Sequence, residues 1–105
     1  MPERIAGIDR ARDAVRREAW AEAYGELTAA DPSDLTPQDL EALADAAWWQ
    51  SKNDESIAAR QQAYAAFAAA NDERRAAYHA GRLSIEHFLR EEPAVAAGWL
   101  MRAQQ

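Results

Sequence analysis

The chain has 105 residues, no cysteine and a formal net charge of −6. This length fits one domain with a single small core, and the lack of cysteine excludes disulfides, thiolate metal sites and cysteine nucleophiles. The acidic balance argues against direct nucleic-acid binding, because such surfaces need a basic stripe.

Six helices are predicted in chain order. Alanine, glutamate, arginine and leucine favour helix, and four glycines and four prolines leave little punctuation for a sheet. The segment 31–34 is predicted to turn, Thr36 to cap a helix that starts with Pro37, and Asn53 and the pair 71–72 to act as Asx caps. The predicted helices span about 5–17, 20–30, 37–51, 54–70, 73–90 and 93–104.

Short connections between these helices predict three antiparallel hairpins, at about 5–30, 37–70 and 73–104. The second helices of the first and last hairpins match through alanine, glycine, leucine and alanine at equal offsets, beginning at Ala23 and Ala96. The middle hairpin has Arg60 in place of the leucine. The repeat intervals are 33 and 40 residues, and we place the extra length of about two turns in the helix containing 61–70.

The hairpins resemble tetratricopeptide repeats, most clearly in the segment 18–23, which carries Trp20 at the first hairpin turn. More specifically, the chain from Arg12 through 47–49 to 98–100 is similar to the helical-repeat region of actinobacterial LuxR-type helix-turn-helix regulators. The resemblance implies an all-α, TPR-like right-handed solenoid. It also implies a regulatory or scaffolding role in a bacterial signalling or transcription protein.

Residues 1–105 are therefore expected to form one helical-repeat domain. Trp99 and Leu100 near the end of the chain would ordinarily be covered by a further helix. We expect either that the chain is the N-terminal fragment of a longer protein or that this end mediates homodimer formation, and the first expectation is favoured.

In a solenoid of this kind the first helix of each hairpin lines a concave groove that binds a protein or peptide partner. Seven acids and a single cation, Lys52, lie in 31–56, so a partner with apolar anchors and at least one cation would suit the groove. The groove is predicted to contain Arg12, Val15, Arg16, Asp45, Trp48, Trp49, Tyr78, Ile85, Phe88 and Leu89.

The aromatic residues allow a second interpretation, because aromatic side chains at helical spacing more often belong to a core. Trp48 and Trp49 are adjacent and point about 100° apart, so both cannot lie at the centre of one core seam. One of the two is expected to face the groove or a partner. Trp20 is expected to be structural, as a cap over the first helix pair.

The two histidines, His79 and His87, lie eight residues apart on one predicted helix, about 12 Å along its axis. This spacing differs from the i, i+4 pair of helical zinc sites. We expect ordinary surface or half-buried histidines, with no metal and no cofactor. No phosphate-binding loop or nucleophile motif is present in the sequence.

Three functions are thus open: a non-enzymatic protein-interaction module, a self-associating structural domain, and a helical enzyme or ligand-binding bundle using His79, Glu86 and His87. The first is favoured. The longest apolar run is far shorter than a membrane span, and the first residues lack the features of a secretory signal, so a cytoplasmic protein with no membrane contact is expected.

Overall fold

A computed structural model describes the backbone of residues 2–104 and the side chains of residues 7–104. Met1 and Gln105, the two ends of the predicted domain, lie outside the described residues. The described chain is all-α, and the prediction of six helices is confirmed. The helices are α1 (Pro2–Arg16), α2 (Trp20–Ala29), α3 (Pro37–Trp49), α4 (Asn53–Ala69), α5 (Glu73–Leu89) and α6 (Pro93–Ala103), with a short 3-10 helix at Pro32–Asp34.

The helix starts follow the local sequence in two of the three predicted cases. Thr36 caps α3 through a reciprocal capping box with Asp39, and Pro37 occupies the first turn. Asp72 caps α5 by accepting a hydrogen bond from the backbone N–H of Arg75 at 3.1 Å. The cap predicted at Asn53 is wrong, because the Lys52 carbonyl already accepts the first helical hydrogen bond and Asn53 lies within α4.

Four helices end in the same backbone motif. In each case one non-glycine residue has a positive φ near 60°, and the N–H of the residue after it bonds to a carbonyl five residues back at 2.9–3.0 Å. A second bond of 3.0 Å joins the N–H of the positive-φ residue to the carbonyl three residues back. These are the paired bonds of a Schellman motif. The positive-φ residues are Glu18, Ser51, Asn71 and Glu91.

The positions of these turns reproduce the predicted repeat intervals. Glu18, Ser51 and Glu91 follow α1, α3 and α5 at separations of 33 and 40 residues. The helix α4 has 17 residues, whereas α2 has 10 and α6 has 11. The extra length of the second interval therefore lies in α4, as predicted, since the longer α5 is offset by a shorter connection before it.

The chain divides into two compact units, Met1–Ser56 and Ile57–Gln105, and the division falls within α4. In the first unit α2 packs against both α1 and α3. Its core is built on alanines, Ala14, Ala23 and Ala46, whose small side chains let the helices approach closely. Trp20 and Tyr24 pack around this core, in agreement with the structural role expected for Trp20.

In the second unit α5 packs against α6, and residues of α4 contact both. Tyr64 of α4 meets Trp99 of α6 edge to face, with ring centroids 5.2 Å apart. Phe67 of α4 stacks on His79 of α5 at 5.5 Å. Within the part of the chain that the structure describes, none of the helices is long and apolar enough to cross a membrane.

Candidate partner-binding surface

The outer face of α5 carries four large apolar side chains, Tyr78, Ile85, Phe88 and Leu89, which we call the α5 stripe. Each is between 48% and 68% exposed. Tyr78, Ile85 and Leu89 lie within about 40° of one another around the helix, with Phe88 about 60° further round, and the stripe runs for about 16 Å. All four were predicted to line the groove, and α5 brings them together on one surface.

The stripe is exposed because the opposite side of α5 supplies the core of the second unit. Ala76, Ala80 and Leu83 are buried there, and they recur at the three- and four-residue spacing of one helix face. The packing of α5 into this core does not require the apolar side chains of the α5 stripe. Contiguous exposed apolar residues of this kind are typical of interaction surfaces.

Arg12, a predicted groove residue of the first unit, is held in an ion pair within that unit. Its guanidinium donates two hydrogen bonds to Asp39, Nε to Oδ1 at 3.1 Å and Nη2 to Oδ2 at 2.8 Å. The pair raises the pKa of Arg12. Burial raises the pKa of Asp39, but hydrogen bonds from Arg12 and Thr36 outweigh burial and leave this pKa below its usual value.

Two further predicted groove residues of α1 have different surroundings. Val15 is half-buried and packs against the alanine core of the first unit. Arg16 is exposed, and its guanidinium lies 3.5 Å from the carboxylate of Asp13 on the same helix. Of these two residues, only Arg16 presents most of its side chain to solvent.

On α3 the structure separates the adjacent tryptophans. Trp48 is half-buried, whereas Trp49 is 65% exposed. Asp45, one turn before Trp49, is also half-buried. Trp49 is therefore the large aromatic side chain that α3 offers at the surface of the first unit.

The predicted end face lies on α6. Trp99 is half-buried between the ring of Tyr64 and the guanidinium of Arg102, which lies 4.5 Å from its ring centroid. Leu100 is exposed, as are Val95 and Met101 of the same helix. Trp99 is thus partly covered by its own unit, and the exposed large apolar side chains of α6 are those of Val95, Leu100 and Met101.

A buried polar cluster in the second unit joins His79 and Glu86, two residues named for the third possible function, to Arg60, which was not predicted as a site residue. Arg60 is fully buried and donates a hydrogen bond from Nε to Oε2 of Glu86 at 2.7 Å. Its Nη1 lies 3.3 Å from Nδ1 of His79, which is also fully buried. The sequence signal was the arginine in place of a repeat leucine. At the matching position in α2, Leu27 is buried.

The expectation of surface or half-buried histidines is wrong for both rings. His79 packs inside the second unit, and His87 is buried beside Glu92, with Nδ1 and Oε1 2.9 Å apart. The Nε2 atom of His87 is out of contact with solvent and has no hydrogen-bond partner among the described residues. The residues that the structure describes contain no group of three His, Cys, Asp or Glu side chains that could hold a metal ion.

The comparisons with known proteins assign no family. No protein-family model matches the chain, and no significant match was found among curated proteins or among solved structures. The described residues form six α-helices, which pack against their sequence neighbours within the two units.

Proposed function

We propose that this chain is a non-enzymatic protein-interaction module whose α5 stripe binds an apolar segment of a partner protein. The α5 stripe is the observation that supports this proposal. Its four large apolar side chains lie on one helix face and are exposed, outside the core of the second unit. Aromatic and aliphatic anchors of this size are the side chains that contribute most to binding at protein interfaces.

The partner segment is one that places apolar side chains along about 16 Å of helix surface, as an amphipathic helix does when it docks through one face. The resemblance to tetratricopeptide repeats and to the helical region of LuxR-type regulators supports a regulatory or scaffolding role. It also supports stacking of the hairpins into a right-handed solenoid, with the α5 stripe as part of its concave groove. In this proposal the module binds neither nucleic acid nor membrane, needs no cofactor and works in the cytoplasm.

The test is a selection of helical peptides by display against the intact chain, followed by measurement of Kd for the recovered peptides by fluorescence anisotropy. Replacing Phe88 by serine should weaken their binding by about thirty-fold, the cost of losing one dominant anchor of roughly 2 kcal/mol. Thermal unfolding should barely change, because Phe88 is 68% exposed.

Gln61→Ser is a matched control, because Gln61 is an exposed residue of α4 in the same unit. It should leave both Kd and Tm unchanged. Equal affinity of the peptides for the wild type and for Phe88→Ser would remove the α5 stripe from the proposal. A large loss of stability in Phe88→Ser would instead assign this side chain to the fold.

Self-association is a second candidate, favoured by the exposed Val95, Leu100 and Met101 of α6. It predicts a mass that rises with concentration in sedimentation equilibrium and that returns to the monomer value in Leu100→Asp. Phe88→Ser should not change that mass. A monomer at all concentrations would exclude this candidate and leave the α5 stripe proposal intact.

A further inference from the structure

Three arginines of α5 lie on the same side of the helix as the α5 stripe. Around the helix axis, Arg74 and Arg82 each lie about 40° from Tyr78, and Arg75 lies about 60° from it. Ile85 and Leu89, two further members of the stripe, lie within about 20° of Tyr78. The exposed face of α5 therefore combines large apolar side chains with positive charge.

The acidic residues of the second unit lie away from this face. On α5 itself, Glu73 is about 140° round the helix from Tyr78, and Glu86 is buried and accepts a hydrogen bond from Arg60. The remaining acids of the unit lie before the start or after the end of α5, at Asp72, Glu91 and Glu92. The side of α5 that carries the stripe thus has charged residues of one sign.

Arg74 is the cation at the N-terminal end of the stripe, one turn before Tyr78. Its side chain is exposed and forms no ion pair among the described residues. Arg82 lies beside the middle of the stripe, with Nη1 3.5 Å from the Tyr78 hydroxyl oxygen. A guanidinium keeps its charge at all physiological pH values, so positive charge borders the stripe over about 12 Å, from Arg74 to Arg82.

We propose that the partner of the α5 stripe is an acidic amphipathic helix, with glutamate or aspartate beside apolar anchors that pack on Ile85, Phe88 and Leu89. This inference rests on the proposed function, because it names the chemical class of the segment that the stripe binds. Carboxylates on the docked face of the segment pair with Arg74 and Arg82. The other faces of the segment can carry cations, since only the docked face meets α5.

A helix face of arginines and apolar side chains also suits an anionic lipid surface. The charge of the whole chain favours a protein segment over a bilayer. A bilayer is an extended sheet of negative charge that faces much of a chain whose net charge is −6, whereas a docked segment meets one face of one helix.

The experiment uses two fluorescein-labelled helical peptides of equal composition and zero net charge. Both have the same leucine stripe. In the first peptide glutamate flanks the leucines and lysine lies on the opposite face, and in the second these positions are exchanged. Fluorescence anisotropy measures Kd for the intact chain at 150 mM NaCl. The first peptide should bind about fivefold more tightly, because exposed ion pairs each change an equilibrium constant by up to about fivefold.

Arg74→Glu should bring the two affinities to within about twofold of each other. Glutamate is favourable in the first turn of a helix, so this variant should fold like the wild type. Arg10→Glu is the matched control, because it changes the net charge by the same amount at an exposed position of α1. It should leave the fivefold preference unchanged.

Equal affinities of the two peptides, both weakened by Phe88→Ser, would overturn the acidic partner and leave the proposed function in place. Absence of binding by either peptide at concentrations up to about 1 mM would remove the proposed function as well. Sedimentation of the chain with vesicles of phosphatidylserine and phosphatidylcholine, lost in Arg74→Glu, would assign the face to a membrane and overturn the proposal.

Discussion

At the scale of single residues, Asp39 links a local signal to a tertiary contact. Its carboxylate accepts the backbone N–H of Thr36 at 3.0 Å, which completes the capping box of α3. The same carboxylate accepts two hydrogen bonds from Arg12, 27 residues away on α1. One buried side chain therefore starts a helix and joins it to another.

Asp39→Asn should destabilise the protein by about 1–3 kcal/mol at pH 7, because the neutral amide loses the charge-assisted bonds from Arg12. The pKa of Asp39 is lowered in the folded state, so its contribution is present above the unfolded value near 3.9 and is lost as pH falls through the folded pKa. Urea unfolding at pH 7 and at pH 3 should show the gap between wild type and variant narrowing in acid.

Asp9→Asn is the control for this prediction, since Asp9 is exposed on the same helix as Arg12. Its substitution should change stability by no more than about 0.5 kcal/mol at pH 7. A gap between wild type and Asp39→Asn that stays constant from pH 7 to pH 3 would contradict the assignment of the pH dependence to this carboxylate.

Arg60 stands where the other two hairpins have leucine, and its side chain is fully buried. Arg60→Leu restores the repeat leucine but removes the 2.7 Å hydrogen bond to a buried carboxylate. We expect a loss of about 3–5 kcal/mol, measured by thermal or urea unfolding, because removing one member of a buried ion pair leaves the other poorly solvated. Arg74→Leu, at an exposed position of α5, should be close to neutral.

The stability of Arg60→Leu tests whether the buried ion pair between Arg60 and Glu86 stabilises the protein. A leucine that is tolerated at position 60 with full stability would show that packing volume alone holds α4 against α5. In that case the buried ion pair would have no net stabilising role.

At the scale of the elements, the four Schellman turns are formed without glycine. A positive φ is unfavourable for a residue with a Cβ, and glycine is the residue most often found at this position. Glu91 holds a φ of 60° after α5, between two backbone bonds of 3.0 Å that the turn supplies. The hydrogen bonds of the turn thus maintain a conformation that the local residue does not favour.

Glu91→Gly should stabilise the protein by about 0.5–1 kcal/mol, because glycine adopts this φ without steric cost. Differential scanning calorimetry measures the change. The same substitution inside the first turn of α4, Glu55→Gly, should act in the opposite direction by up to about 1 kcal/mol. A loss of stability in Glu91→Gly would show that the side chain contributes more than the backbone strain costs.

At the scale of the whole molecule, charge is divided unequally between the two units. The first unit contains thirteen acidic and six basic residues, whereas the second contains five acidic and six basic residues. The formal net charge is therefore −7 for the first unit and +1 for the second, so the net negative charge belongs to the unit with the alanine core. In the function proposed above, the field of the first unit would favour a partner segment that carries cations.

The sequence by itself determined the helices of this protein. Helix propensity, the Thr36 cap, Asp72 and the prolines act over a few residues, so their effect could be derived without knowledge of distant contacts. The placing of the long repeat interval in α4 followed from spacing alone. The exposed faces were only partly predictable, because helical spacing groups Tyr78, Ile85 and Leu89 without showing whether another element covers them.

Only the tertiary structure decided which polar groups are buried and which tryptophan is exposed. Arg60 meets His79 and Glu86 across separations of 19 and 26 residues, and Arg12 meets Asp39 across 27. Such contacts depend on the register of one helix against another, and side-chain packing sets that register. Trp48 and Trp49 have the same local signals, and only the packing of the folded chain makes one half-buried and the other exposed.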